Sequence, residues 1–191
     1  MHTVRTAECG SADPIHRHGV GPMSRAFVKE PDGDRPEPLP ELPLSPHPNY
    51  VTSRGLAQLR ARLAAALAHR EALKDAADAL TRQSELVLLE RDLRWLHARL
   101  QSAIEVDLMA QPAGRVAFGA SVTVASAEGE QRYRIVGEDE AAAEQQRVSY
   151  LSPLARALLG ARVGDEVIWQ RPAGDLAIEV LAIDYADEID S

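Results

Sequence analysis

Two runs of leucine at helical spacing occupy the middle of the chain. The leucines of the first run are Leu56, Leu59, Leu63 and Leu67, and those of the second are Leu86, Leu89, Leu93, Leu96 and Leu100. The second run advances in alternating steps of three and four, which is typical of the seam of a coiled coil. Because a polar stretch over residues 74–84 separates the runs, they predict an antiparallel helical hairpin. Its arms would have about 20 to 25 residues and be about 30 to 37 Å long.

The pattern changes to a period of two after about residue 116. Apolar and polar residues alternate around Val122 and Val124, and again around Tyr133 and Ile135, with a turn at residues 128–130 between them. Further short apolar runs follow near Val148, near Trp169 and from Leu176 to Val180. This order predicts an antiparallel sheet. The whole chain is therefore expected to have an α+β fold.

One short helix is predicted within the sheet region. Ser152 can cap its first amides, Pro153 suits the first helical position, and Gly160 can take the left-handed conformation at its end. The first helix of the hairpin would begin in a similar way, because either Thr52 or Ser53 can cap it. The sheet domain is thus expected to cover a single helix.

The first 48 residues contain nine of the twelve prolines together with several acids. Such a composition is typical of an extended, disordered segment. We therefore divide the chain into an acidic proline-rich tail over residues 1–48, a helical hairpin over residues 49–110 and a sheet domain over residues 111–187.

Composition, charge and missing motifs argue against several classes of function for this chain, among them non-specific nucleic-acid binding and membrane insertion. The formal net charge of −8 opposes non-specific binding to nucleic acid. The single cysteine, Cys9, cannot form an internal disulfide, which favours a cytoplasmic protein, and no apolar run approaches the ~20 residues needed to cross a membrane. The sequence contains neither a recognisable nucleophile system nor a glycine-rich phosphate loop. The sequence itself therefore offers no candidate for an active site.

Two segments of the sheet region carry a resemblance to a known family. Residues 152–165 read SPLARALLGARVGD, and residues 134–140 read RIVGEDE. Both resemble the carboxy-terminal domain of the bacterial transcription elongation factors GreA and GreB. The resemblance extends over residues 49–185 and is weaker in the hairpin.

The resemblance implies an FKBP-like sheet domain that binds RNA polymerase near its secondary channel. The hairpin would then enter the channel, and two acids at its end would help to hold a magnesium ion of the polymerase active site, stimulating cleavage of backtracked RNA. The protein would be an accessory factor rather than an enzyme, since the polymerase would catalyse any cleavage. No cofactor would be bound by the protein alone, and nucleic acid would be met only within the elongation complex. We expect a monomer.

Asp75 and Asp78 are the candidates for the two acids. Their spacing of three matches the family pattern, but Asp78 replaces the expected glutamate and the flanking glycine and asparagine are missing. The first arm is about ten residues shorter than is typical, which would shorten the reach by ~15 Å. This places the midpoint of the hairpin near residues 79–83 and the acids on its shoulder. The pair is either a metal-binding pair or part of a solvated surface.

The candidates for polymerase binding are Leu151, Ser152, Pro153, Leu154 and Arg156. Leu151 stands where the family commonly has an acid, and the leucines are either an apolar docking surface or ordinary core. Arg91, Arg94 and Arg99 on the second helix either contact the polymerase or RNA, or form a solvated face balanced by nearby acids.

Three other functions remain open at this point. A shorter, altered hairpin would suit a Gre-like regulator that occupies the channel without supporting cleavage. The FKBP-like fold would suit a prolyl isomerase, although an aromatic content of only 4% leaves little for an aromatic-lined pocket. A coiled-coil adaptor for some other partner is the third.

Overall fold

The structure, a computed structural model, describes residues 39–75 and 79–185, except for the side chain of Asp75. The α-helices are α1 (Ser53–Ala72), α2 (Ala79–Gln101) and α3 (Pro153–Leu158). The strands are β1 (Asn49–Val51), β2 (Ala103–Glu105), β3 (Ser121–Ser126), β4 (Gly129–Val136), β5 (Arg147–Ser149), β6 (Glu166–Trp169) and β7 (Leu176–Asp184). Within these described ranges, none of the helices has the length and apolar character that a membrane span requires.

Helices α1 and α2 form the predicted hairpin. His69 lies 3.8 Å from Glu85, and the Arg62 guanidinium lies 5.3 Å from the centre of the Trp95 ring. Because the residue number falls along one arm as it rises along the other, the two helices are antiparallel. Their 20 and 23 residues correspond to arms of about 30 and 35 Å.

The turn of the hairpin comes earlier than the sequence predicts. Helix α1 ends at Ala72, a 3-10 turn follows over Leu73–Asp75, and α2 is already helical from Ala79. The expected midpoint at residues 79–83 therefore lies within the first turns of α2, and that prediction is wrong. Alanine and leucine at the start of α2 are strong helix formers, so the polar residues after them do not interrupt the helix.

The sheet domain has five strands in the order β5-β4-β3-β7-β6. All neighbours are antiparallel except β4 and β5, which pair in parallel with Arg134 opposite Arg147. The prediction of a wholly antiparallel sheet is thus wrong at this edge. The chain between β4 and β5 crosses over through two 3-10 turns, Glu138–Glu140 and Ala143–Gln145, and so re-enters the sheet in the same direction. A second, two-stranded parallel sheet joins β1 to β2.

Helix α3 packs on one face of the five-stranded sheet. Leu154 and Leu158 of the helix are buried against Val122, Ile135 and Val180 of the strands. The predicted helix ends are confirmed: Ser152 Oγ accepts the Ala155 N–H at 3.1 Å, Pro153 is the first helical residue, and Gly160 has a φ of 90°. The α+β class predicted from the sequence is also confirmed.

Candidate functional site

The free end of the hairpin is formed by the end of α1 and the turn after it. Leu73 is buried there, and Lys74 donates a hydrogen bond to Glu71 that lowers the pKa of the Glu71 carboxyl. Asp75 is the last residue of the turn, whereas Asp78 lies outside the described residues. The residues that the structure describes contain no group of three potential metal ligands. Metal binding by the two acids therefore stays a prediction.

The root of the hairpin, where its two arms join the sheet domain, is held in place by a buried arginine. Arg99, near the end of α2, is only 3% exposed. Its Nε donates to Asp139 Oδ2 at 2.6 Å and its Nη2 to Asn49 Oδ1 at 2.7 Å, while Glu138 Oε2 lies 3.7 Å from Nη2. Asn49 in turn donates to the Arg99 carbonyl oxygen at 2.8 Å. One guanidinium thus joins the second arm, the strand before the first arm and the sheet domain.

A second polar contact holds the start of the first arm. The Thr52 hydroxyl donates to Glu140 Oε2 at 2.6 Å and accepts the Gly55 N–H at 2.9 Å. Glu140 is buried, and a Cβ on Gly55 would lie 2.6 Å from the same carboxylate oxygen. Only glycine leaves room for this contact without moving the Glu140 side chain.

Both contacts end on the same short element of the sheet domain. We call the 3-10 turn Glu138–Glu140 the acidic turn; it is the EDE part of the segment that carries the family resemblance. Gly137, just before it, lies so close to Tyr50 that an added Cβ would collide with the Tyr50 carbonyl oxygen. The acidic turn therefore fixes the hairpin to the sheet domain at both arms.

For Arg99, both interpretations of the arginines on α2 are wrong. Arg94 is exposed and pairs with Glu41 at 2.8 Å, and Arg91 pairs with Asp92 at 3.2 Å. Arg99 belongs neither to a solvated face nor to a surface that could contact a polymerase, because its charge is buried and paired. Its main partner, Asp139, lies 40 residues further along the chain, so the periodicity of α2 does not predict this ion pair.

Residues 151–156, which we call the Ser-Pro segment, begin α3. Pro153 and Arg156 are exposed, and Leu151 and Ser152 are half-buried. Leu154 is 3% exposed and belongs to the core between α3 and the five-stranded sheet. Leu154 must therefore be removed from the predicted docking surface, because a side chain facing the core cannot also face a partner.

Three aromatic rings pack together beside the start of the hairpin, and one of them, Tyr150, directly precedes the Ser-Pro segment in the chain. Tyr50, Phe118 and Tyr150 have ring centres 5.5 to 5.9 Å apart, and the Tyr150 hydroxyl donates to the Pro48 carbonyl oxygen at 2.6 Å. Loss of hydration, and secondly the charge of Glu138, raises the pKa of the Tyr150 phenol. Edge-to-face contacts of this kind stabilise aromatic clusters. The sequence does not reveal this cluster because its members come from three separate segments.

Residues 39–48 contact the hairpin as well. Glu41 pairs with Arg94, and the Pro43 carbonyl oxygen accepts a hydrogen bond from Trp95 Nε1 at 3.3 Å. Part of the predicted tail therefore contacts α2. The rest of that predicted tail, residues 1–38, lies outside the described residues.

These observations define an α+β protein with a helical hairpin that is fixed by buried polar contacts to a five-stranded sheet domain. The family model described as "Transcription elongation factor, GreA/GreB, C-term" matches residues 111–185. GreA of Yersinia pestis bv. Antiqua (strain Angola) is 38% identical over 116 residues, which cover 59% of this chain and 73% of that protein. GreB of Neisseria meningitidis serogroup A is 41% identical over 99 residues, or 51% and 61% of the two chains. The chain belongs to the GreA/GreB family of transcription elongation factors.

Solved structures were compared as well. The GreA factor homolog 1 protein of Thermus thermophilus is 23% identical and superimposes with a TM-score of 0.34, covering 72% of this chain and 99% of that one. A GreA/GreB factor from Nitrosomonas europaea is 22% identical with a TM-score of 0.36, covering 73% and 99%. Superpositions at this level add nothing to the assignment, which depends on the sequence relatives.

Proposed function

We propose that this protein binds RNA polymerase through the Ser-Pro segment and places its hairpin in the secondary channel, where it modulates elongation. The supporting observation is the rigid root of the hairpin. Because Arg99 and Thr52 each bind the acidic turn through a hydrogen bond of 2.6 Å, a sheet domain docked on a partner would also determine where the free end of the hairpin lies. A five-stranded sheet around one short helix is compatible with the FKBP-like fold of the family.

The docking surface would be formed by the exposed part of the Ser-Pro segment. Leu151, Ser152, Pro153 and Arg156 supply a mixed apolar and cationic edge, and Leu154 supports it from the core. Pro153 fixes its own backbone and presents its ring to solvent, so little conformational entropy would be lost there on binding. This small, preorganised edge suits a protein partner rather than a nucleic-acid backbone.

Arg156 provides the test of this surface. Arg156→Glu is expected to weaken binding of core RNA polymerase about tenfold, because reversing an interface charge replaces attraction by repulsion. Fluorescence anisotropy with labelled protein would measure the affinity. Arg162→Glu makes the same charge change at an exposed position after α3 and should bind like the unchanged protein. Equal losses in the two variants would show that net charge, not this surface, controls binding.

At the free end, we propose that Asp75 and Asp78 help to hold a magnesium ion that belongs to the polymerase. Mg²⁺ prefers carboxylate oxygens and keeps several waters, so one or two acids from a second protein can complete its coordination. The early turn of the hairpin favours this role, since Asp75 lies at the end of the arm rather than on its shoulder. The ion would stabilise the charge that develops during hydrolysis of the RNA.

A cleavage assay on stalled, backtracked elongation complexes tests the acids. The unchanged protein should shorten the RNA, and Asp75→Ala with Asp78→Ala should reduce the rate at least a hundredfold while polymerase binding stays the same, because two ligands of the ion are lost. Glu90→Ala removes an exposed acid elsewhere on α2 and should cleave normally. If the unchanged protein binds polymerase without shortening the RNA, it is instead a non-cleaving regulator of the channel, a function that its 20-residue first arm also fits.

The prolyl isomerase alternative receives no support from the sheet domain. Tyr133 and Trp169 form an aromatic pair with ring centres 6.3 Å apart, but the cavity beside them has a volume of only about 110 Å³. Sites for small ligands usually measure 300 Å³ or more. This cavity is too small for a prolyl peptide.

A further inference from the structure

The sheet face opposite α3 carries a cluster of arginines. Strand register places Arg134 of β4 between Ser121 of β3 and Arg147 of β5. Arg132 lies two residues before Arg134 and so on the same face. Arg54, from the first turn of α1, completes the set. A cavity of about 290 Å³ between α1 and the sheet is lined by these four arginines with Ser121, Gln145 and Gln146; we call it the cationic pocket.

The charge of this pocket is opposite to that of the protein. The chain as a whole has a net charge of −8, yet four guanidiniums converge on one small cavity. Arg132 pairs at the rim with Asp184 at 3.5 Å, and Arg147 Nε donates to the Glu140 carbonyl oxygen at 3.1 Å. Arg54 and Arg134 also have interaction partners. An incoming anion would therefore compete for these groups, and only one with several negative charges would offset their mutual repulsion.

The wall of the pocket is fixed before any ligand arrives. Arg134 is only 8% exposed, and its backbone N–H donates to the Gln146 carbonyl oxygen at 2.9 Å. Gln146 has a φ of 53°, the one positive value among the non-glycine residues that the structure describes. Two hydrogen bonds between Ala142 and Arg147, of 3.0 and 3.1 Å, close the loop around it. Unfavourable backbone conformations held in this way are concentrated at ligand-binding sites.

We propose that the cationic pocket binds a small molecule that carries two linked phosphate groups. The planar fork of a guanidinium matches the oxygens of a phosphate, and each arginine can donate two parallel hydrogen bonds. A phosphate monoester has a charge of about −1.5 to −2 near pH 7; two linked phosphates carry about −3 and so offset most of the charge of four arginines, which a single carboxylate would not. The cavity volume of about 290 Å³ suits a diphosphate group rather than a run of nucleic-acid backbone. This site is separate from the Ser-Pro segment and from the free end of the hairpin.

Equilibrium dialysis with labelled inorganic pyrophosphate tests the proposal, using the full chain in 150 mM salt without divalent ions. Saturable binding at one site is expected. Arg54→Gln and Arg132→Gln should each weaken it about tenfold or more, since each removes a charged hydrogen-bond donor. Arg60→Gln makes the same charge change at an exposed position on α1 outside the pocket and should not alter the affinity.

Competition distinguishes the possible sources of the anion. A nucleoside diphosphate that displaces pyrophosphate at a lower concentration than pyrophosphate itself would identify nucleotides as the ligands, and equal potency would identify the inorganic anion. Displacement by a glutamate-rich peptide at the same concentration as pyrophosphate would overturn the proposal in favour of a carboxylate site. Absence of saturable binding, or equal losses in the Arg60→Gln and Arg132→Gln variants, would overturn it entirely.

Discussion

Replacing Arg99 with methionine is expected to lower the free energy of unfolding by about 3 kcal/mol, because it leaves Asp139, whose side chain is only 14% exposed, without its cation. Asp139 and Asn49 would lose hydrogen bonds of 2.6 and 2.7 Å in a site where the arginine is 3% exposed. Methionine keeps most of the apolar length of the side chain, so the loss would come from the polar contacts. Urea denaturation followed by circular dichroism would measure it.

Arg94→Met provides the matched control for this measurement. Arg94 lies on the same helix and pairs with Glu41, but both side chains are more than half exposed. Exposed ion pairs contribute about 0–1 kcal/mol, so this variant should have nearly the stability of the unchanged protein. If both variants lose equal stability, the joint at the acidic turn does not depend on the Arg99 charge.

Leu154→Ala is expected to lower the free energy of unfolding by about 2–5 kcal/mol, the usual cost of removing a fully packed leucine side chain. Leu154 is 3% exposed and packs with Val122 and Ile135 in the core between α3 and the sheet. Chemical denaturation would measure the loss. Polymerase affinity, determined at low temperature on the folded fraction, should stay close to that of the unchanged protein.

Leu159→Ala removes the same side chain from the residue that follows α3, where it is 36% exposed. It should cost less than about 1 kcal/mol, in keeping with surface substitutions. The opposite pattern for Leu154→Ala, with stability unchanged and polymerase binding weakened, would show that Leu154 contacts the partner and that it does not support α3 from the core.

Features that depend on near neighbours in the sequence could be predicted. The leucine seam predicts both arms of the hairpin, since a buried stripe must recur every three or four residues. Ser152 and Gly160 predict the ends of α3 because capping needs only the adjacent amides and carbonyls. The alternation around Val122 and Ile135 likewise predicts two paired strands with one buried face.

Features that depend on distant segments could not be predicted from the sequence. The parallel pairing of β5 follows from a crossover, which a three-residue strand does not reveal. The burial of Arg99 depends on Asp139, and the aromatic cluster brings Tyr50 to Phe118 and Tyr150. Likewise, the arginines of the cationic pocket become neighbours only through strand register. Charged residues in such places look like surface residues in the sequence because their partners belong to other elements.

The parallel pair β1 and β2 has a consequence for how such proteins can diversify. Asn49 lies opposite Ala103, and Val51 lies opposite Glu105, so the chain leaves and re-enters the base within about 5 Å. The two arms of the hairpin are thus attached to the rest of the protein at one place, the β1–β2 pair. Inserting or deleting one heptad in both arms changes the length of the hairpin by ~10 Å and leaves this attachment unchanged. Reach is therefore a property that evolution can tune without redesigning the domain that holds it.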